Sequence, residues 1–166
     1  MADPGELTPQ QDRTWSLLVG LMMWLPPELD GYLERVAGTS HAEYQVLRWL
    51  SADEDREVHM GRLAATASVT PSHLSRIVAR LEKRQWATRS SDPRDARRTL
   101  ARLTETGEQL VARVEPGYAA EVRQRVFDQL GAGQAEQLED LTEAVLTALH
   151  PECVEVLPAR APRPPA

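Results

Sequence analysis

The spacing of apolar residues predicts helices over most of the chain. Between residues 11 and 37 apolar side chains recur every three or four positions, in a belt wide enough for burial on more than one side. The same period predicts helices over 41–51, 71–84, 104–130 and 134–149, and a helix of about two turns around Met60–Ala67. Pro26 and Pro27 should kink or break the first helix, and Gly38 should end it.

Polar residues mark the predicted starts of three helices. Ser40 with Glu43 three positions later has the pattern of a capping box. Thr70 precedes Pro71, which suits the first position of a helix. Thr104 is the third predicted N-cap. The segment 51–57, "SADEDRE", is predicted to be a polar loop.

The middle of the chain has the pattern of a helix-turn-helix followed by a β-hairpin. Leu74, Ile77, Val78 and Leu81 form one apolar stripe, and a short "ASVT" turn joins this helix to the one before it. Two extended runs, "WATRS" and "RTLARL", then flank the basic loop "SDPRDAR", whose Asp-Pro step favours a turn. This pattern predicts two strands and a hairpin tip, or wing.

Charge is distributed unevenly. The chain has 166 residues, which suits one domain or a domain with an added oligomerisation element. Residues 70–102 hold nine basic and three acidic residues, a net +6, whereas the other residues sum to −12 within a total of −6. A basic segment on an acidic body favours binding to a polyanion at one place. An Arg-rich helix face that is merely solvated is the alternative.

The basic segment supplies the candidate DNA contacts. A recognition helix needs small donors and long cationic arms near its N-terminus, and a narrow minor groove attracts arginine. Arg76 is expected at a base edge, Arg80 at a base or a phosphate, and Asp95 is expected to pair with an arginine and hold it extended. The full predicted set is Ser72, His73, Ser75, Arg76 and Arg80 on the helix and Arg94, Asp95, Arg97 and Arg98 on the wing.

The stretch "LAATASVTPSHLSRIVARLEKRQWATRSSDPRDARRTLARLTETG" resembles the winged helix-turn-helix of the multiple-antibiotic-resistance regulator (MarR) family. The parts that carry the resemblance are "LSRIVARLEKR", "DPRDARR" and "LARLTETG". The resemblance implies a homodimer whose terminal helices interlock and whose two winged domains grip a pseudo-palindromic site. It places the family's wing Asp-x-Arg on Asp95 and Arg97, which makes Arg97 the expected minor-groove finger. Trp86, in "KRQW" where "KRG" is more usual, departs from the pattern and could alter the turn.

The resemblance also implies regulation, because members often release DNA when a small aromatic or phenolic anion binds. The candidate pocket residues are Trp15, His41, Tyr44 and Arg48, for which ordinary packing is the alternative. Other members sense oxidants through a cysteine in the first helix. The single cysteine here, Cys153, lies in the C-terminal segment, which disfavours such a switch.

The expected fold is mostly α with a small β-hairpin wing: a winged helix-turn-helix with N- and C-terminal dimerisation helices. The predicted organisation is a flexible arm (1–10), an N-terminal dimerisation helix (11–37), the DNA-binding domain (38–103), C-terminal dimerisation helices (104–150) and a disordered Pro-rich tail (151–166). The terminal helices carry more apolar surface than a compact DNA-binding unit can cover, which independently favours a two-fold dimer.

The predicted function is a cytoplasmic, sequence-specific DNA-binding transcriptional regulator, a ligand-responsive repressor acting as a homodimer on double-stranded DNA. The alternative is a winged-helix adaptor that binds proteins without specific DNA binding. The sequence has no phosphate loop, nucleophile elbow or metal-ligand spacing, so an enzyme, a cofactor and a metal are not expected. The apolar runs are too short and interrupted for a membrane span.

Overall fold

The computed structural model describes residues 5–154, without the side chains of residues 152 and 153. Residues 151–154 of the expected disordered tail form a short helix, so that expectation is wrong for them. The rest of the expected tail and the first four residues of the expected arm lie outside the described residues. The elements are α1 (Pro9–Ala37), α2 (His41–Ala52), β1 (Glu57–His59), α3 (Met60–Thr66), α4 (Pro71–Lys83), β2 (Ala87–Asp92), β3 (Asp95–Leu103), α5 (Glu105–Arg125), a 3-10 turn (Phe127–Gln129), α6 (Gln134–Leu149) and α7 (Pro151–Val154).

The first helix does not break at its prolines. α1 continues through Pro26 and Pro27 to Ala37, so the expected break is wrong, whereas the alternative, a kink, stays a prediction. Its C-terminal part packs on α5, where Leu29 and Leu33 are buried, and this packing outweighs the local preference of the two prolines. The helix also begins earlier than expected: the Thr8 side chain accepts from the Gln11 backbone N–H, so residues 9 and 10 are helical.

The predicted caps are confirmed. Ser40 and Glu43 form a reciprocal capping box at the start of α2. The Thr70 side chain accepts from the His73 backbone N–H at the start of α4, and Thr104 accepts from the Gly107 N–H at the start of α5. Gly38 ends α1 with a left-handed φ of 60°. These local hydrogen bonds fix where three helices begin relative to their neighbours.

The wing hairpin belongs to a three-stranded antiparallel sheet with strand order β1-β3-β2. Val58 of β1 pairs with Ala101 of β3. The prediction of a polar loop over 51–57 is therefore wrong at both ends, because α2 continues to Ala52 and Glu57 starts β1. A strand of three residues is too short to show an alternating pattern, and it exists because β3 offers it a partner edge.

In the turn after α4, the residue with an unusual backbone conformation is Gln85 and not Trp86, which was expected to alter the turn. Gln85 takes the left-handed conformation, with φ 61°, where glycine would carry no steric cost. Trp86 is half-buried, and its carbonyl accepts from the Thr104 N–H, which ties the start of α5 to this turn. The departure from the family pattern therefore lies at Gln85.

The core lies where α2, α4, β3 and α5 meet the C-terminal part of α1. Helix α5 ends at Arg125, so the helix expected to reach residue 130 is shorter, and a 3-10 turn follows it. Helix α6 has no buried residue within the described chain, although it spans the predicted 134–149. Within residues 5–154, no helix combines the length and the apolar character needed to cross a membrane.

Candidate nucleic-acid interface

Helix α4 turns an apolar stripe inward and a polar face outward. Leu74, Ile77, Val78 and Leu81 are all buried. The opposite face leaves Ser72, His73 and Arg76 exposed, beside a half-buried Ser75. Because the Thr70 cap fixes the first turn, the exposed side chains of that turn have a defined position on the surface.

Arg80 lies on the same helix but is already engaged. Its Nε donates to Oε1 of Glu43, and Nη1 of Arg84 lies 3.5 Å from Oε2 of the same carboxylate. Glu43 also accepts from the Thr39 hydroxyl at 2.9 Å. Arg80 stays a predicted DNA contact, but reaching DNA through Nε would require it to leave Glu43.

Glu43 is a residue whose second role the sequence did not reveal. Its side chain is only 6% exposed although it carries a carboxylate. Burial alone would raise its pKa, but the hydrogen bonds from Arg80, Thr39 and the Ser40 backbone outweigh burial and lower the pKa. The capping-box pattern gave a local reason for this acid. Its contact with Arg80 of α4 joins residues 37 positions apart, so no local sequence pattern predicts it.

The tip of the wing is shaped by two aspartates. Asp92 Oδ1 accepts from the Arg94 backbone N–H at 2.8 Å, and Asp95 Oδ1 accepts from the Arg97 backbone N–H at 3.1 Å. Such Asx contacts hold a turn without help from the sheet. The expected pairing of Asp95 with an arginine is present, since Arg97 Nε lies 3.3 Å from Asp95 Oδ1. The Arg97 side chain is nevertheless 92% exposed, so it projects into solvent although Asp95 contacts its backbone N–H and its Nε.

Arg98 shares the same acid. Its Nε lies 3.4 Å from Asp95 Oδ2, and its side chain is well exposed. Arg94 is also exposed. The tip of the wing therefore presents three arginines, two of which are oriented by a single carboxylate.

A link between the wing and α4 was missed by sequence reasoning. Arg89 of β2 pairs with Glu82 of α4, with Nη2 2.6 Å from Oε2, and its Nη1 donates to the Ser75 hydroxyl at 3.2 Å. Ser75, a predicted DNA contact, is thus tied to the sheet. This arrangement depends on how the turn at Gln85 returns the chain, which residue spacing does not show.

The predicted pocket residues separate into two groups. His41, Tyr44 and Arg48 come together against α5: the Tyr44 hydroxyl donates to Glu115 at 2.8 Å, Arg48 Nη2 lies 2.9 Å from Glu115, and the His41 ring stacks on Tyr118 at 6.0 Å. Trp15 does not join them; it is exposed on the N-terminal half of α1.

A cavity of about 550 Å³ opens beside the first group. Its lining combines polar side chains of α2 with apolar residues that reach α4, and consists of His41, Ala42, Gln45, Val46, Arg48, Trp49, Ala52, Ala67, Val69 and Ile77. Tyr44 is fully buried and lies behind this wall rather than in it. Glu115 and Tyr118, which orient Arg48, were missed because they lie about 70 residues away in sequence.

Burial controls the ionisation of these groups. It lowers the pKa of His41, against the opposing attraction of Asp30, and Arg48 lowers that pKa further. Burial also raises the pKa of Tyr44, and the hydrogen bond to Glu115 adds to that increase. Tyr44 is therefore a neutral hydrogen-bond donor at physiological pH. The cavity wall combines the cationic Arg48 with His41, whose lowered pKa makes its ring resist protonation.

The fold and its surface define a winged helix-turn-helix protein with a basic wing and recognition helix. A model of the MarR family matches residues 37–98. Sco3205, a MarR family transcriptional regulator from Streptomyces coelicolor solved in complex with DNA, is 36% identical, with 91% of this chain and 94% of that chain covered and a TM-score of 0.84. None of the curated proteins matches the sequence significantly.

Two further solved structures resemble the chain. AbsC, also a MarR family transcriptional regulator from Streptomyces coelicolor, is 26% identical over 87% of this chain and 97% of that chain, with a TM-score of 0.80. CouR from Rhodococcus jostii RHA1, solved with p-coumaroyl-CoA, is 25% identical over 78% of this chain and 88% of that chain, with a TM-score of 0.68. The chain belongs to the MarR family of transcriptional regulators. Its function class is DNA-binding regulation of transcription, and proteins of this class are not enzymes.

Proposed function

We propose that this protein is a cytoplasmic homodimeric repressor that binds a pseudo-palindromic operator overlapping a promoter. The observation that carries the proposal is the exposed cationic surface. Arg97 is almost fully exposed while Asp95 contacts its backbone N–H and its Nε, and the exposed Arg76 lies on the capped helix α4. Arg76 would read a base edge in the major groove, and Arg97 would enter the minor groove beside it. Ser72, His73 and Ser75 would add shorter contacts along α4.

The dimer is supported by the apolar surface that one chain leaves uncovered. α1 exposes large apolar side chains including Trp15, Met22 and Trp24, and α6 exposes Leu141, Val145 and Leu149. A two-fold axis through these helices would bury both faces at once. It would also set the two recognition helices about one turn of DNA apart, roughly 34 Å, which is the spacing that a palindromic operator requires.

A gel shift with the DNA that flanks the protein's own gene tests the proposal. The titration would be repeated across salt concentrations and with random competitor DNA. Binding that resists competitor at physiological salt is the expected result, since specific sites bind roughly 10³-fold or more tighter than random DNA. Binding that competitor removes in equal measure would contradict the repressor and favour the adaptor alternative.

We further propose that a small aromatic or phenolic anion releases the operator by binding the cavity beside His41 and Arg48. The cavity wall includes Ile77 of the recognition helix, so a ligand there would contact α2 and α4 together. A ligand carboxylate would compete with Glu115 for Arg48. Such a ligand shifts DNA affinity only as far as it prefers one dimer shape over the other. The structure of the relative CouR with p-coumaroyl-CoA supports aromatic acids as first probes.

The release proposal is tested by adding aromatic carboxylates to the operator complex. The expected result is dissociation that Arg48→Gln weakens and that Arg113→Gln, which removes the same charge from an exposed position on α5, leaves unchanged. If no probe changes operator affinity or the thermal midpoint of the free protein, the cavity is not an effector site for this class of compound.

A further inference from the structure

A second recess lies between α3 and the wing, away from the α4 face and from the cavity beside His41. It has a volume of about 550 Å³ and is lined by His59, Met60, Gly61, Arg62, Arg97, Arg98 and Thr99. A water molecule takes about 30 Å³ of liquid, so the recess has room for a hydrated anionic group. Two of its residues belong to the predicted wing contacts, whereas His59, Gly61 and Arg62 have no assigned role.

The lining is positively charged and contains no carboxylate. Arg97 and Arg98 are held from behind by Asp95, and His59 Nε2 lies 3.5 Å from Asp92 Oδ2. Neither acid is among the lining residues, although Asp95 pairs with two of the three arginines. The exposed guanidinium of Arg62 has no ion-pair partner among residues 5–154 as far as they are described. Three guanidinium groups outnumber the two neighbouring carboxylates, and this excess of positive charge favours an anion as the occupant.

The backbone leaves this space open. A Cβ built on Gly61 would meet no atom within 4 Å, so the first turn of α3 has clear space beside it. His59 is fixed at the edge of the space, because it pairs with Leu100 in the sheet and its ring contacts Asp92. Arg62 lies on α3, which directly follows β1, and Arg97 and Arg98 lie on β3, so the pairing of β1 with β3 brings the three arginines to the same recess.

We propose that this recess seats a backbone phosphate of the bound operator, which Arg62 contacts from α3 and Arg98 from the wing. The inference rests on the proposed DNA binding and adds a contact outside the recognition helix and the wing tip. We call the recess with its three arginines, Arg62, Arg97 and Arg98, the phosphate seat. Because Arg97 is one of them, the bound phosphate would lie beside the arginine that is expected to enter the minor groove. A phosphate contact sets position and affinity and carries no sequence information.

The salt dependence of operator binding tests the seat. Each neutralised phosphate contributes about 0.9 to the slope of log K against log salt. Arg62→Gln should lower the magnitude of the slope by about 0.9 for each protomer engaged and weaken operator and random DNA by the same factor, roughly fivefold or more at physiological salt. Arg113→Gln, the matched control on α5, should change neither quantity. An equal slope for both variants, while the wild type binds its operator specifically, would overturn the seat and leave the repressor proposal intact.

A second pair of variants uses the open side of Gly61. Gly61→Ala and Gly61→Glu both add a Cβ in free space, and an acid is tolerated in the first turn of a helix. Only Gly61→Glu brings a negative charge to the recess, so it should weaken DNA binding roughly tenfold while Gly61→Ala binds like the wild type. Equal binding by both folded variants would contradict the proposal.

Free phosphate offers the same chemistry as a DNA phosphate, so a separate experiment must distinguish the two. Inorganic phosphate would be compared with chloride at constant ionic strength. If inorganic phosphate raises the thermal midpoint of the wild type through Arg62 but Arg62→Gln leaves the DNA salt slope unchanged, the recess binds a free anion and the proposal is wrong. A wild type that shows no competitor-resistant DNA binding would overturn the proposed repressor, and the seat with it.

Discussion

Two surfaces of this chain lie uncovered, and they differ in what holds their side chains. On α4 and the wing, cations are tied to acids: Arg97 to Asp95, and Arg89 to Glu82. On α1 and α6 the uncovered side chains are apolar; Trp24 is 73% exposed and Leu141 is 68% exposed. These ion pairs hold part of the charged surface before DNA arrives, which lowers the entropy lost on binding. The apolar surface has no comparable internal support and requires a second copy to cover it.

The largest effect is expected where the apolar surface is broken. Leu141→Glu places a charge on the exposed face of α6, where dimer formation would bury it without a partner. We expect the dimer dissociation constant to rise at least 100-fold, about 3 kcal/mol, as measured by sedimentation equilibrium. Thr147→Glu adds the same charge at an exposed position on the opposite face of α6 and should leave the dimer intact. A Leu141→Glu protein that dimerises like the wild type would place the interface elsewhere.

The next effect should appear on the charged surface alone. Arg97→Ala removes the expected minor-groove finger and should weaken operator binding by about 1–3 kcal/mol without changing the dimer. Fluorescence anisotropy with labelled operator measures the loss, and sedimentation measures the dimer. Arg113→Ala is the control for general loss of charge. Unchanged affinity in Arg97→Ala would remove the wing tip from the mechanism.

The sequence predicted the winged unit well because its signals are local. The caps at Ser40, Thr70 and Thr104 and the apolar stripe of α4 each need only a few neighbouring residues. The same holds for Asp95 and Arg97, which are two positions apart. Local signals failed where packing decides: α1 continues through Pro26 and Pro27, because its C-terminal part is buried against α5.

The candidate site was predicted by residue type but not by contact. Arg80 is predicted from its place on the helix, yet its partner Glu43 is a buried residue of α2, 37 residues earlier. His59 and Asp92 meet because β1 and β2 both pair with β3, and β1 itself is too short to predict. Contacts between residues far apart in sequence follow from topology, which the apolar pattern of one chain does not determine.

A third test asks how far the charged surface depends on an acid beneath it. Glu43→Gln keeps the shape of the side chain but removes the charge that pairs with Arg80. It should lower the free energy of unfolding by about 1–2 kcal/mol, measured by urea denaturation at pH 7. The exposed Glu54→Gln should have no such effect. Equal stability of the two variants would show that Arg80 gains nothing from Glu43.

The same carboxylate gives the test a pH dependence. The pKa of Glu43 is lower in the folded protein than in the unfolded chain, so its stabilisation is present at neutral pH. It should be lost as the pH falls below about 5 through the folded pKa, because the unfolded state then binds the proton first. The stability difference between wild type and Glu43→Gln should therefore shrink on acidification. A difference that stays constant between pH 7 and pH 4 would contradict the assigned ionisation.

The smallest effect is expected after α6, in residues 151–166. Deleting residues 151–166 removes α7, and deleting 155–166 keeps it, so the pair isolates this short helix. Helix α7 contacts α3, and Val154 is only half-buried, so its loss should cost less than about 1 kcal/mol of stability. Both truncated proteins should dimerise and bind operator like the full chain. If the shorter one alone loses DNA binding, α7 positions α3, and the phosphate seat beside α3 would then depend on the C-terminal segment.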